Sequence, residues 1–233
     1  MNDQMSMNGD FDSLPDLGTD YTNNREERLP CILVVDGSGS MRKDDAIDEL
    51  NKGIAEFAAQ LRNDPVASAK VQVKVIRFGD TVDDMGDWAD AMYFNPPEIR
   101  AHGNTPMGEA VERAMQAAEE QLATLKSHGI DRKRPWIWLM SDGLPTDPSW
   151  EAVARKAREG QEAGKFFLYP VSVIAADGET SHTAALQSFH KDNKCLKIQG
   201  AEFAAFFDFV SAKSAAGSKK EGADMDVFTL ASF

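Results

Sequence analysis

Cys31-Ile32-Leu33-Val34-Val35-Asp36-Gly37-Ser38-Gly39-Ser40 sets an unbroken apolar run directly against one carboxylate and two hydroxyls. A short apolar run closed by glycines reads as a strand buried on both faces, the kind found in parallel sheets. Ligands of an open α/β sheet bind outside the carboxyl ends of its strands, so Asp36, Ser38 and Ser40 stand where a site forms. Glycines at 37 and 39 permit the sharp turn that brings alternate side chains together. Three oxygen donors without nitrogen or sulfur suit a hard cation such as Mg²⁺, which takes six oxygens at about 2.0–2.1 Å.

Two distant segments carry matching oxygens. Gly103-Asn104-Thr105-Pro106-Met107-Gly108 precedes a long amphipathic helical pattern, with Pro106 suited to a helix entrance and Thr105 just before it. Ser141-Asp142-Gly143 follows the apolar run Trp136-Ile137-Trp138-Leu139-Met140, which again leaves a carboxylate just past a buried strand. Each segment alone reads equally well as a polar turn or a helix cap. Agreement of all three favours a site over three independent turns.

The remaining chain alternates strand and helix. Strands are expected at Ile32–Asp36, Val71–Phe78, Trp136–Ser141, Phe166–Ile174 and Cys195–Ile198, with a short edge strand after Asp80. Helical patterns run over Asp44–Leu61, Met107–Lys126, Ser149–Ala163, Thr183–Phe189 and Ala201–Ala212. Apolar strands separated by amphipathic helices predict a doubly wound, mostly parallel central sheet with helices on both faces and one short antiparallel edge strand. Pro170 cannot donate to a ladder, so a bulge or a late strand start is expected there. Residues 1–28, poor in apolar anchors, read as a flexible extension, and residues 212–233 as a tail, on either side of a domain at 29–211.

Together, Asp36, Ser38, Ser40, Thr105 and Asp142 resemble the metal-ion-dependent adhesion site of the von Willebrand factor A domain family. The resemblance extends from about Leu29 to Ser211, and all five positions match. Val35-Asp36-Gly37-Ser38-Gly39-Ser40-Met41, Gly103-Asn104-Thr105-Pro106-Met107-Gly108 and Leu139-Met140-Ser141-Asp142-Gly143-Leu144-Pro145-Thr146-Asp147 are further similar to its bacterial intracellular branch, which includes tellurium-resistance-associated proteins. The resemblance implies a bound Mg²⁺, with Mn²⁺ or Ca²⁺ as alternatives. It also implies a protein partner whose Asp or Glu completes the metal's coordination, in a stress or defence complex alongside a kinase or phosphatase.

Composition narrows the remaining classes. The 233 residues, 42% hydrophobic, suffice for one α/β domain, and no apolar run approaches the roughly 20 residues that span a bilayer. A net charge of −13 argues against nucleic acid, which demands clustered positive charge. The patch Lys126, Arg132, Lys133 and Arg134 reads as solvated surface. The acids Asp80, Asp83, Asp84, Asp87 and Asp90 lack the spacing of a calcium loop and read as the coat of an exposed edge. Two cysteines, four histidines without zinc spacing and an amino terminus without secretory features fit a reduced, cytoplasmic protein.

The rival class is a metal-dependent hydrolase or phosphotransfer enzyme. Position 38 is Ser, so the paired aspartates of a phosphatase are missing. No nucleophile elbow and no phosphate-binding Gly-Lys-Ser/Thr loop occurs. His102, close in sequence to Thr105, is a weak candidate for touching a ligand. The expected role is binding, with catalysis absent.

Overall fold

The computed structural model describes Thr19, residues 21–174 and residues 183–199. The helix expected at Ala201–Ala212 and the tail lie outside these residues. Seven strands form one sheet: β1 (Leu29–Asp36), β2 (Val71–Phe78), β3 (Val82–Asp84), β4 (Ala89–Asp90), β5 (Trp136–Ser141), β6 (Phe167–Ile174) and β7 (Leu196–Gln199). Their order is β3-β2-β1-β5-β6-β7, with β4 also on β2. Among the described residues only β3 and β4 run antiparallel, and every other strand pair is parallel.

Helices cover both faces because side chains alternate along each strand. On one face Cys31, Leu33 and Val35 of β1 pack with Leu50, Ile54, Phe57 and Leu61 of helix α1 (Ala46–Asn63) and with Ala67 of α2 (Pro65–Lys70). On the other, Ile32 and Val34 meet Met107, Val111 and Ala114 of α3 (Met107–Ser127), Val153 and Ala157 of α4 (Trp150–Glu162) and Leu186 of α5 (Thr183–Gln187). From β1 the chain passes through α1 and α2 to β2 on one side, and after β3 and β4 α3 carries it back across to β5 on the other side of β1. The strand order therefore reverses between β1 and β5, which is where an open α/β sheet forms its ligand crevice.

Several local expectations change. The first helix starts later than Asp44, because Gly39–Asp45 forms a 3₁₀ turn and Asp45, at φ 57°, breaks it from α1. Helix α2 went unpredicted, being too short to show a period. Its start is fixed by Asp64, whose Oδ1 accepts from Val66 N and Ala67 N at 2.8 and 2.9 Å. Pro170 sits inside a continuous β6 with no bulge. Phe167 N donates to Pro135 O on the β5 flank, so by alternation the nitrogen of residue 170 faces the other flank. There β7 begins pairing only at Val171, and no donor is needed.

The acids after Asp80 do more than coat an edge. Asp83 pairs with Arg77, Asp84 with Lys74 and Arg113, and buried Asp90 with Arg28. Residues 21–28, placed by sequence in the extension, are docked on the domain. Tyr21 stacks on His128, and the Arg28 side chain, fully buried, donates to the carbonyls of Asn24, Glu26 and Ala69. Its backbone N–H donates to Asp131 O and its carbonyl accepts from Lys133 N, each at 2.8 Å. Of the basic patch, Lys133 also pairs with Glu27, and Arg134 lies over the Phe167 ring.

Candidate functional site

Three loops meet at the carboxyl ends of β1 and β5. In the first, residues 37–40, Asp36 is the anchor and is wholly buried. Its Oδ1 accepts from Ser38 N at 2.7 Å, and its Oδ2 accepts from the Ser141 hydroxyl at the end of β5. Burial pushes the Asp36 carboxyl up from 3.8 to about 6, against the pull of the Ser141 and Ser38 hydrogen bonds, and the Asp142 charge adds to the rise. Gly143 N donates back to Ser141 Oγ at 3.1 Å, so Ser141 links Asp36 to the loop that carries Asp142.

The outer oxygens form a chain. Ser38 Oγ lies 2.9 Å from Ser40 Oγ, and Ser40 Oγ donates to Asp142 Oδ1 at 2.8 Å. Thr105 arrives from the second loop, beside Gly143. A Cβ built on Gly143 would lie 3.7 Å from Ser40 Oγ and 3.8 Å from Thr105 Oγ1. The structure thus brings all five expected residues to one place.

The loops are held by backbone contacts that sequence did not reveal. Gly37 N donates to Phe78 O and His102 N donates to Gly37 O, both at 2.7 Å, while Gly39 N reaches Gly103 O at 3.0 Å. Arg77 on β2, nearly buried, donates from Nη2 to Gly37 O at 3.2 Å and from Nε to Arg100 O at 3.3 Å. A Cβ on Gly37 would come within 2.6 Å of Arg77 Nε, so this approach demands glycine. Arg77 Nη2 lies 2.8 Å from His102 Nδ1, which in turn lies 3.4 Å from Asp80 Oδ2. These contacts join His102 to this bracket.

The donor set fits a small divalent cation. Oxygens on adjacent corners of an octahedron with metal–oxygen bonds of about 2.0–2.1 Å lie about 2.8–3.0 Å apart, which includes the Ser38–Ser40 and Ser40–Asp142 separations of 2.9 and 2.8 Å. Among the described residues no three His, Cys, Asp or Glu cluster as metal ligands. The five-residue set contains only two carboxylates, and hydroxyls make up the rest. Asp36, Ser38, Ser40, Thr105 and Asp142 are the residues that could hold the ion.

A Rossmann-like sheet with an oxygen-rich crevice at its switch point defines a class of α/β binding domains. The von Willebrand factor type A domain profile matches residues 31–211, and the chain belongs to that family. Domains of this kind typically serve protein interaction or adhesion. The fold is similar to the vWF domain of the type V pili tip protein Mfa5 from Porphyromonas gingivalis, with TM-score 0.66 and 11% identity over 85% of this chain and 98% of that one. It is also similar to the pilus adhesin SpaC from Lactobacillus rhamnosus GG, with TM-score 0.65, 14% identity, and coverage of 83% of this chain but only 31% of SpaC. The conserved hypothetical protein BatB from Bacteroides thetaiotaomicron gives TM-score 0.56 and 16% identity over 82% of this chain and 100% of BatB. No individually curated protein matches the sequence.

Proposed function

We propose that this chain is a non-enzymatic, divalent-cation-dependent interaction module. Asp36, Ser38, Ser40, Thr105 and Asp142 hold Mg²⁺, and a partner protein contributes an Asp or Glu to the same ion. The observation that supports this reading best is the Ser38–Ser40–Asp142 oxygen chain at octahedral spacing above a buried Asp36. When bound, the ion supplies a Lewis-acidic position for an external carboxylate. Two protein carboxylates at most balance its charge, so a third is not met by surplus negative charge.

Similarity of Val35–Met41 and Leu139–Asp147 to tellurium-resistance-associated proteins supports a cytoplasmic stress or defence complex, with a kinase or phosphatase as the partner class. The test is calorimetry with Mn²⁺, followed by affinity capture with Mg²⁺, with chelator, and with Mg²⁺ restored. Wild type should bind about one ion and retain a partner only when the ion is present, and Asp36→Ala should do neither. Equal partner retention with and without chelator would refute the bridging role.

A further inference from the structure

Leu139–Asp147 contains two residues that the five-residue site leaves unused, and both reach across to the second loop. Thr146 engages the backbone of Thr105 twice. Thr105 N donates to Thr146 Oγ1 at 3.0 Å, and Thr146 N donates to Thr105 O at 2.9 Å. Both backbone polar groups of Thr105 are therefore fixed by one residue of the third loop. Asp147, the next residue, accepts from Gly108 N at 3.1 Å through Oδ1. It thereby serves a first-turn N–H of α3 that Pro106, at the N-cap with no side-chain acceptor, cannot serve.

The fit is close enough to demand particular residues. A Cβ on Gly108 would come within 2.3 Å of Asp147 Oδ2 and 2.6 Å of Trp150 Cα, so only glycine admits the third loop this near to α3. Ser149 Oγ donates to Asp147 Oδ2 at 3.2 Å and holds that carboxylate in place. Thr146 is four residues from Asp142 along the chain. Thr105 and Asp142, which sequence separates widely, are thereby joined through one short segment.

We propose that Thr146 and Asp147 are positioning residues that lock the second loop to the third and so set Thr105 against Asp142, tuning the cation affinity of the site. This rests on the metal-binding reading above. Removing the lock leaves all five donors present but lets Thr105 sample other positions, and outer-shell changes of this kind typically lower metal affinity about 10–100-fold.

The experiment compares full-length wild type, Thr146→Val, Thr146→Ser and Asp147→Ala by Mn²⁺ calorimetry, with amide hydrogen exchange on the metal-free proteins. Thr146→Val keeps the shape but removes the acceptor. It should deprotect the Thr105 amide, leave the amides of Ile32–Val35 protected, and weaken Mn²⁺ at least about tenfold. Thr146→Ser restores the hydroxyl and should return both readouts to near wild type. Asp147→Ala should deprotect Gly108 and weaken Mn²⁺ in the same direction. A Thr105 amide unchanged in Thr146→Val, or an amide deprotected with Mn²⁺ affinity unchanged, would overturn the lock. Wild type that binds no Mn²⁺ would instead overturn the metal reading, and with it the proposed tuning, while the exchange data would still report whether the two loops are joined.

Discussion

At the scale of single residues, Asp36 carries opposite loads. Its buried carboxyl, pushed up to about 6, must lose a proton before it can hold a cation. Because its folded value lies above the free value of 3.8, the metal-free protein gains stability from this group at low pH and loses it as pH rises through about 6. The Mn²⁺-induced rise in Tm should run the other way. At pH 7.5 and a hundredfold excess over Kd, binding contributes about 2.7 kcal/mol, or roughly 5–10 °C for a domain of this size. At pH 5, one unit below that value, protonation raises the apparent Kd about tenfold, so at the same Mn²⁺ concentration about half of the rise should be gone. Asp36→Asn keeps the size and can still accept from Ser38, so at pH 7.5 its metal-free Tm should equal or exceed that of wild type by a few degrees, with no response to Mn²⁺. A Mn²⁺ shift of equal size at pH 5 and 7.5 would show that Asp36 is not a ligand. The convergence of the five candidate residues was legible because each follows an apolar strand or precedes a helix. Ser141, Thr146, Asp147 and Arg77 were not, since their roles depend on pairings across tens of residues that no local pattern encodes.

At the scale of elements, periodicity served long segments and failed short ones. The bounds of β2 and β5 were read correctly because each is an apolar-rich stretch with abrupt polar ends. Helix α2, with six residues, offers less than two turns of pattern. Only its Asp64-Pro65 start marks it, a capping residue followed by proline at the first helical position. That cap is testable by itself. Asp64→Ala leaves Val66 N and Ala67 N without their acceptor and should lower stability by about 1 kcal/mol, a Tm drop of roughly 2–4 °C. Because Asn caps as well as Asp, Asp64→Asn should instead keep a Tm near wild type, and an unchanged Tm in Asp64→Ala would mean that α2 is held by packing of Ala67 alone. Pro170 makes the converse point. Sequence shows that a donor is missing, but only topology shows that the flank it faces has no partner strand at that level.

At the scale of the molecule, the two ends of the sheet do different work. The site lies at the carboxyl ends of β1 and β5, whereas Arg28 lies at the amino end of β1. There Arg28 pairs with Asp90 at 3.5 Å, Asp90 accepts from Gln72 at 2.9 Å, and Gln121 bridges Gln72 to Tyr21. This network fastens residues 21–28 to β2, β4 and α3, and it was invisible in a segment whose composition reads as unanchored. Breaking a buried ion pair from one side leaves the other charge stranded, at about 3–5 kcal/mol. Arg28→Met should therefore lower Tm by roughly 6–20 °C, and deletion of residues 1–28 should be at least as damaging. Because the network and the site lie at opposite ends of β1, Arg28→Met should bind Mn²⁺ with wild-type affinity at a temperature where it remains folded. The double variant Arg28→Met, Asp36→Asn should show the two effects added within about 0.5 kcal/mol, as distant sites do. A Tm unchanged in Arg28→Met would return residues 21–28 to the status of a dispensable extension, whereas a loss of Mn²⁺ affinity in that variant would mean that β1 transmits strain along its whole length to Asp36.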